Sequence, residues 1–219
     1  MSTRLYLVRH GSTPLTAEDK FSGAENVDLS DEGRAQAARL ANRLRSEGIS
    51  AVYASPLSRA METAQILAHG WHDEPKAVDG LREIAHGHWE GMRRSDVEAQ
   101  YASEYAMWSQ DPFTFAPEGG ESGVAVLTRA LPAIRKIVTT HEGGRVLVVS
   151  HKATLRLVLC SLLGIDARGY RDRLDQAPAC LNIVDFTDPV RARLTLFNDT
   201  SHYENCPPST GRHLSKWWG

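Results

Sequence analysis

The stretch Leu5-Tyr6-Leu7-Val8-Arg9-His10-Gly11 places an arginine and a histidine directly after four apolar residues. A continuous apolar run of this length is typical of a short strand that is covered on both faces. Such a strand would deliver Arg9 and His10 into the loop at its carboxyl end. An arginine binds oxyanions through two parallel N–H donors, and a neutral imidazole nitrogen is a nucleophile. An Arg-His pair also occurs at ordinary solvated strand ends, so its meaning depends on its partners in the chain.

Further apolar runs occur at 49–54 and 145–150, and each is followed by a turn and then by a segment with helical spacing. This alternation predicts a three-layer α/β/α fold around a mostly parallel sheet. Two late runs, 180–186 and 191–197, are joined by only four residues, which suits a hairpin rather than a crossover helix. We therefore expect an antiparallel edge on the sheet.

Three segments have the apolar spacing of amphipathic helices, and a fourth reads as a buried helix. The first begins after Ser30, which can cap it, and we expect it to stop at Gly48. The second covers 58–68 and places Arg59 in its first turn. The third runs from Val124 to Val138, where Pro132 predicts a kink or a split, and the fourth runs from Leu155 to Leu163.

The composition limits the function classes. The chain has 219 residues, a length that suits a single domain with one substantial core, and 25 basic side chains stand against 27 acidic ones. This balance gives no long-range field that would gather nucleic acid or an anionic membrane, and we expect neither as a partner. Apolar runs are too short to cross a bilayer, and we see no leader at the start of the chain.

Three cysteines, Cys160, Cys180 and Cys206, lack a paired or metal-like spacing, which favours a reducing cytoplasm. The aromatic-rich segment 84–120 predicts a helical insert that covers the site, with most of its rings in packing roles. The final residues, 204–219, read as an irregular tail. Its two tryptophans leave open a homodimer contact.

The Arg-His pair has partners at the ends of later segments, where short motifs carry further charged and imidazole groups. The motifs are Leu7-Val8-Arg9-His10-Gly11, Tyr53-Ala54-Ser55-Pro56-Leu57-Ser58-Arg59-Ala60, Leu81-Arg82-Glu83 with Gly87-His88-Trp89-Glu90-Gly91, and Val148-Val149-Ser150-His151.

These four motifs, in this order and spacing, resemble the histidine phosphatase superfamily, which includes cofactor-dependent phosphoglycerate mutases and many small phosphatases. The resemblance covers about residues 4–203. It implies that His10 becomes phosphorylated, that Arg9, Arg59 and His151 surround the phosphate, and that Glu83 is the proton donor. Fixed cationic donors suit a phosphoryl group whose charge spreads over its outer oxygens. Because Glu83 can donate a proton and then accept one from water, the cycle closes without a metal, and we expect no cofactor.

The proposed roles require particular protonation states. His10 must present an unprotonated nitrogen, whereas we expect His151 to be more useful as a cation beside the phosphate. Glu83 must carry a proton when the leaving oxygen departs and must accept one when water attacks. Taken without the motif around it, Glu83 would read as an exposed loop carboxylate that pairs with Arg82.

Several positions depart from the family pattern. Ser12 replaces a frequent glutamate, and Thr16 replaces a frequent asparagine, although the Thr16 hydroxyl could still donate to phosphate. Ser22 and Gly23 fall in the loop that often contacts phosphate. Lys152 follows His151 where glycine is frequent; it either reaches the pocket rim and favours a second anionic group on the substrate or points to solvent.

A metal site would be an alternative reading of Glu83, His86 and His88, which fall within six residues. A loop need not turn the three side chains inward together, and the arginines already supply the positive charge, so we expect no metal.

The leading hypothesis is a metal-independent phosphomonoesterase that acts on a small phosphorylated metabolite, such as a sugar phosphate or phosphoglycerate, through a phosphohistidine. The segment between Gly91 and Gly119 is short, whereas the mutases that the chain resembles usually carry a longer insert that shields the phosphoenzyme from water. The alternatives are a cofactor-dependent phosphoglycerate mutase and a non-catalytic module that binds a phosphorylated ligand.

Overall fold

The structure is a computed structural model that describes residues 2–17, 20–70 and 74–203. Within these ranges one mixed sheet has the strand order β3-β2-β4-β1-β5-β6. Three strand pairs are parallel: β2–β3, β2–β4 and β1–β4. Strand β5 pairs antiparallel with both β1 and β6. The strands are β1 (Thr3–Arg9), β2 (Ala51–Ala54), β3 (Lys76–Ala77), β4 (Arg145–Ser150), β5 (Leu181–Phe186) and β6 (Ala192–Asp199).

The parallel centre, the β5–β6 hairpin and the antiparallel edge predicted from the sequence are confirmed. β3 was not predicted, because two exposed residues carry no apolar pattern. The helices of the described ranges are α1 (Pro14–Ala17), α2 (Asp31–Leu44), α3 (Ser58–Ala68), α4 (Arg94–Gln100), α5 (Ala102–Gln110), α6 (Gly123–Thr140), α7 (Lys152–Leu163) and α8 (Tyr170–Arg173).

Two helix ends have the capping residue that the sequence predicts. The Ser30 hydroxyl accepts the Gly33 N–H at the start of α2, and Gly164 closes α7 in the left-handed conformation with φ of 68°. The expected stop of α2 at Gly48 is wrong by about one turn, because the helix ends at Leu44. Of the two outcomes expected at Pro132, the split is wrong, since α6 continues through this residue, and the kink stays a prediction.

The sheet separates two apolar layers, as the alternation of side chains along a strand requires. On one face, Leu5 and Leu7 of β1 pack with the apolar sides of α6 and α7. On the other face, Tyr6 and Val8 pack with α2 and α3. Burying each such aliphatic side chain contributes roughly 1.5–3 kcal/mol of transfer free energy. The predicted three-layer arrangement is therefore confirmed.

The segment 84–120 contains α4 and α5, and its aromatic rings form a small core with Phe21, including fully buried Trp89 and nearly buried Trp108. The prediction that most of these rings serve packing is confirmed. None of the helices within the described ranges has the length and apolar character needed to span a bilayer. The tail predicted at 204–219, including Cys206, lies outside the described residues.

Candidate active site

The carboxyl ends of β1, β2 and β4 meet at one edge of the sheet, because these strands are parallel and adjacent. β1 ends at Arg9 and His10, and β4 ends at Ser150 and His151. The His10 N–H donates to the Ser150 carbonyl at 3.0 Å, which joins the two strand ends. The imidazole rings of His10 and His151 lie with their centroids 5.1 Å apart. Parallel pairing thus brings together two histidines that are 141 positions apart in the chain.

The His10 ring has a defined orientation. Its Nδ1 lies 2.7 Å from the Gly11 carbonyl oxygen, which can only accept, so Nδ1 carries the proton of the neutral ring. Burial lowers the pKa of His10 well below its usual value, and the charges of Arg59 and Arg9 lower it further. The unprotonated nitrogen is therefore Nε2, which has the lone pair that a nucleophile needs.

His151 is fully buried, and its Nε2 lies 2.7 Å from the Ser55 hydroxyl at the end of β2. Its pKa is also well below the usual value, first because of burial and then because of Arg59 and His10. These causes favour the neutral form of both rings, whereas the expected cationic form of His151 belongs to the site with a phosphate beside it and stays a prediction. Ser55 belongs to the second motif but was not singled out from the sequence, because its role depends on a contact 96 residues away.

The two arginines are held by backbone carbonyls. Arg9 Nη1 donates to the Gln176 carbonyl at 2.6 Å, and burial lowers the pKa of Arg9. Arg59, in the first turn of α3, donates to the Gly23 and Glu25 carbonyls at 2.8 and 2.7 Å. These bonds use only part of the five N–H donors of each guanidinium and fix its plane. The charges of both arginines act on the His10 ring, so each lies within electrostatic range of it.

Gly23 holds Arg59 through its backbone carbonyl. Its φ is +38°, and a Cβ at this position would lie 2.1 Å from Glu90 Oε1, so the turn that presents its carbonyl to Arg59 favours glycine. Glu90 Oε1 in turn accepts the N–H groups of Ala24 and His86. The Gly-His-Trp-Glu-Gly motif is thereby tied to the loop that positions Arg59.

The loop after His10 is fixed by two contacts that sequence reasoning missed. The Gly11 N–H donates to the Thr63 hydroxyl at 3.1 Å, and that hydroxyl donates to the Arg59 carbonyl at 2.7 Å. Gly11 also lies directly on the backbone of α2, where a Cβ would come within 2.5 Å of the Gly33 carbonyl oxygen. A Cβ on Gly33 would meet the Ser12 carbonyl oxygen at 2.1 Å.

Glu83 is buried, so the reading of an exposed loop carboxylate is wrong; Arg82 pairs with Asp79 instead. Glu83 Oε1 accepts the N–H groups of Ile84 and Thr154, and Oε2 accepts the Ala153 N–H at 3.2 Å. The donors from 153 and 154 belong to the first turn of α7, where the helix dipole favours a carboxylate. Oε2 has fewer partners than Oε1 and is the oxygen better placed to exchange a proton.

The Glu83 loop is held from α6 and β4. Arg129 donates to the carbonyls of Gly80, Arg82 and Glu83 at 2.8–3.0 Å and pairs with Glu121. The Ser150 hydroxyl donates to the Leu81 carbonyl at 2.8 Å. Neither contact was predicted from the sequence.

The weaker phosphate-binding candidates lie in different surroundings. The Thr16 hydroxyl is 3.0 Å from that of buried Thr13, and the Ser22 carbonyl accepts the Glu25 N–H within the loop that holds Arg59. Lys152 does not simply point to solvent: its Nζ lies 3.5 Å from Asp175, and its side chain is 34% exposed.

The three side chains considered as a metal site have separate partners. His86 packs on the rings of Phe21 and Trp108, and burial lowers its pKa to about 4. His88 lies 3.4 Å from Glu104. In the part of the chain that the structure describes, no three His, Cys, Asp or Glu side chains form a group that could hold a metal.

Comparison with known proteins agrees with this geometry. The sequence model of the histidine phosphatase superfamily (branch 1) matches residues 5–200. The chain belongs to this superfamily. The resemblance inferred from the four motifs is therefore confirmed.

Members of the histidine phosphatase superfamily named as phosphatases are among the relatives. Phosphoserine phosphatase 1 of Hydrogenobacter thermophilus is 34% identical over 163 residues, which are 74% of this chain and 77% of that protein. Glucosyl-3-phosphoglycerate phosphatase of Mycolicibacterium vanbaalenii is 35% identical over 170 residues, 74% and 75% of the two chains. Longer mycobacterial relatives also match at 35% identity over 202 residues, and the chain spans 55% of their length.

Solved structures of the superfamily share the fold. Bacillus stearothermophilus YhfR has a TM-score of 0.86 and 31% identity, with 91% of this chain and 98% of that chain covered. The superfamily match thus extends over the sheet and over all the residues discussed above as site candidates.

Proposed function

We propose that this chain is a phosphomonoesterase that hydrolyses a small phosphorylated metabolite through a phosphohistidine on His10, with no metal or cofactor. The observation that carries this proposal is the pairing of His10 and His151, 5.1 Å apart, within range of the charges of Arg9 and Arg59. A neutral nucleophile among fixed cations is the arrangement that phosphoryl transfer to nitrogen requires.

The first half-reaction uses His10 Nε2 as nucleophile. Its lone pair forms the N–P bond while the P–O bond to the alcohol breaks, and Glu83 gives its proton to the departing oxygen. Arg9 and Arg59 stabilise the negative charge on the outer phosphoryl oxygens, since their guanidinium groups are held by backbone carbonyls and need not reorganise. The products of this step are the free alcohol and phosphorylated His10.

The second half-reaction returns the enzyme to its starting state. Water attacks the phosphorus, Glu83 accepts a proton from that water, and the N–P bond breaks to release inorganic phosphate. The His151 ring, oriented by the Ser55 hydroxyl, donates a hydrogen bond to the phosphoryl group in both steps. Glu83 therefore alternates between acid and base, and each turnover consumes one water.

The names of the relatives support a small phosphate ester as the substrate class, because they include a phosphoserine phosphatase, a glucosyl-3-phosphoglycerate phosphatase and an adenosylcobalamin/alpha-ribazole phosphatase. We further propose a cytoplasmic location. The free, buried thiols of Cys160 and Cys180 are compatible with a reducing compartment. A homodimer is an additional proposal, to be checked by the mass of the protein in solution.

A phosphate-release assay on a panel of phosphate esters tests the activity. The panel includes phosphoserine, phosphoglycerates, sugar phosphates and an aryl phosphate, all measured with a chelator present. We expect release by the wild-type protein, complete loss in His10→Ala, and acid-labile label on the wild-type protein after brief exposure to a 32P-labelled substrate. A folded wild-type protein that releases phosphate from no member of the panel would refute the proposal. Release that requires an added metal would refute the metal-independent mechanism.

A further inference from the structure

A charged cluster lies outside the residues assigned above to phosphoryl transfer. Lys152 and Arg156 are four residues apart on α7 and therefore share one helix face, and both pair with Asp175. Lys152 Nζ is 3.5 Å from Asp175 Oδ1, and Arg156 Nη2 is 2.9 Å from the same oxygen. Two cations thus share one carboxylate, which leaves excess positive charge in this cluster of Lys152, Arg156 and Asp175, called the Lys152 cluster below.

The Lys152 cluster borders the proposed phosphate position. Lys152 directly follows His151, and the residue after Asp175 is Gln176, whose carbonyl accepts the bond from Arg9 at 2.6 Å. The Gln176 N–H donates to Asp175 Oδ1 at 2.8 Å. Residues 175–176 therefore contact Arg9 on one side and the two cations of α7 on the other.

The members of the cluster differ in exposure. The side chain of Arg156 is only 5% exposed, whereas those of Lys152 and Asp175 are 34% and 59% exposed. Arg156 is therefore a fixed charge behind an accessible lysine. The Lys152 ammonium has three N–H donors. The distance from its Nζ to Asp175 Oδ1 is longer than the roughly 2.7–2.9 Å of a strong charged hydrogen bond.

The surroundings of Lys152 disfavour its charged form. Burial, followed by the charges of Arg156 and Arg9, lowers its pKa to about 7, while Asp175 opposes this shift. A second anionic group near Nζ would favour the charged lysine and offset the repulsion from both arginines. The carboxylate that Lys152 already contacts shows which type of anion this environment accepts.

We propose that Lys152 is a specificity residue that binds a carboxylate carried by the phosphorylated substrate, replacing its contact with Asp175 while Arg156 keeps Asp175 in place. This proposal rests on the phosphatase function proposed above and names its substrate class, a phosphate monoester of a hydroxy acid. The phosphate lies against Arg9 and the carboxylate against Lys152, on the two sides of residues 175–176.

Two small ligands that differ at one group test the proposal. 3-Phosphoglycerate carries a carboxylate where glycerol 3-phosphate carries a hydroxymethyl group, so effects on the shared phosphate cancel in the ratio of their affinities. Both dissociation constants are measured by calorimetry with His10→Ala as the background, so that neither ligand is turned over. We expect the wild-type pocket on this background to prefer 3-phosphoglycerate by roughly tenfold, the value of one hydrogen bond to a charged group.

Two substitutions at the cluster should change this preference in opposite directions. Lys152→Met should abolish it, because the carboxylate loses its cation. Asp175→Asn should increase it, because the competing carboxylate is removed while an oxygen remains to accept from Gln176 and Arg156. Lys136→Met, which removes an exposed lysine on α6, is the matched control and should leave the preference unchanged.

The outcomes separate this proposal from the proposed function. The carboxylate site is overturned if the protein with an unmodified Lys152 cluster binds the two ligands with equal affinity. It is also overturned if Lys152→Met keeps the preference for 3-phosphoglycerate. Both conclusions hold even if the enzyme releases phosphate from other esters. A loss of preference in Asp175→Asn also overturns it, because the cluster would then be merely structural. Failure of the phosphatase proposal appears instead as absent phosphate release, which this binding measurement does not use.

Discussion

At the scale of single residues, the hydrogen-bond partners of each group decide its chemical role. Nδ1 of His10 is engaged by the Gly11 carbonyl, which leaves Nε2 as the nucleophile. Oε1 of Glu83 is occupied by two backbone donors, whereas Oε2 has one. The residue types were readable from the sequence, but the choice of atom was not. That choice depends on which backbone groups lie nearby after folding.

Replacing Glu83 with glutamine should slow the release of poor leaving groups much more than that of good ones. A sugar or glycerol alkoxide needs a proton as it departs, whereas an activated aryl oxide does not. We expect a loss of about 10²–10³-fold in kcat on glycerol 3-phosphate and a much smaller loss on 4-nitrophenyl phosphate. Steady-state kinetics on both substrates provide the measurement, with Glu118→Gln at an exposed position as control. Equal losses on the two substrates would contradict the role of Glu83 as acid.

At the scale of secondary-structure elements, the strands position the histidines and the helices position the loops. α6 is the clearest case, because Arg129 on this helix binds three carbonyls, those of Gly80, Arg82 and Glu83, in the loop that carries Glu83. Leu81 and Ile84 of this loop are buried in the apolar core, which anchors it on both sides of Glu83. Arg129, held by Glu121, adds the polar contacts that fix the backbone carbonyls of the loop.

Removing the guanidinium by Arg129→Met should act on catalysis through Glu83. We expect a loss of stability of about 2–4 kcal/mol, because buried carbonyls lose charged donors, and a fall in kcat that is again larger for poor leaving groups. Arg129→Lys should restore part of the activity, and Arg135→Met on the exposed side of the same helix should have little effect. Urea unfolding and kinetics on the two substrates check both expectations. A loss of stability with an unchanged leaving-group dependence would show that Arg129 does not position Glu83.

The sequence predicted elements well where a local signal was strong. The range 58–68 matches α3 because the signal, a Ser-Pro turn followed by an apolar stripe, is local. Pro132 misled the prediction for α6, since Ala130, Ile134 and Ile137 are buried along that helix and their packing outweighs a cost of about 3 kcal/mol for an internal proline. The sequence did not identify three residues that hold the site, because each acts through a contact with a residue 46–96 positions away. They are Ser55, Thr63 and Arg129.

At the scale of the whole molecule, we propose that residues 1–219 form one domain, with the insert at 84–120 as part of it. The superfamily match over 5–200 and the single sheet of the described residues support this proposal. The aromatic core of the insert includes Phe21, which lies next to the loop that holds Arg59. The rings of His86 and Trp108 both pack against Phe21.

This architecture predicts an acid-sensitive fold, because several histidines are buried as neutral rings. Burial lowers the pKa of His10 and His151 well below its usual value and lowers that of His86 and His202 to about 4. The unfolded chain takes up protons near pH ~6.5, whereas the folded chain does not, so the free energy of unfolding should fall as the pH drops from about 6.5 towards 4. Each histidine contributes up to about 1.4 kcal/mol per pH unit in this window.

Urea unfolding at pH 7.5, 6.5, 5.5 and 4.5 measures this dependence. His86→Phe should reduce the slope of the unfolding free energy against pH by the contribution of one histidine. A phenyl ring can pack on Phe21 and Trp108 but does not take up a proton on unfolding. A stability that is constant across the window in the wild-type protein would contradict the predicted proton uptake. An unchanged slope in His86→Phe would show that His86 does not contribute to the pH dependence of stability.

The close contact between Gly11 and Gly33 restricts how this pocket can be redesigned. The loop that carries the nucleophile rests on the backbone of α2 with no side chain between them, so a side chain at either glycine would push the loop away from the helix. Substitution of either glycine would move the reacting nitrogen of His10, whatever its effect on substrate choice. Engineers who seek new substrates should therefore hold both glycines constant and randomise residue 152, whose side chain is partly exposed.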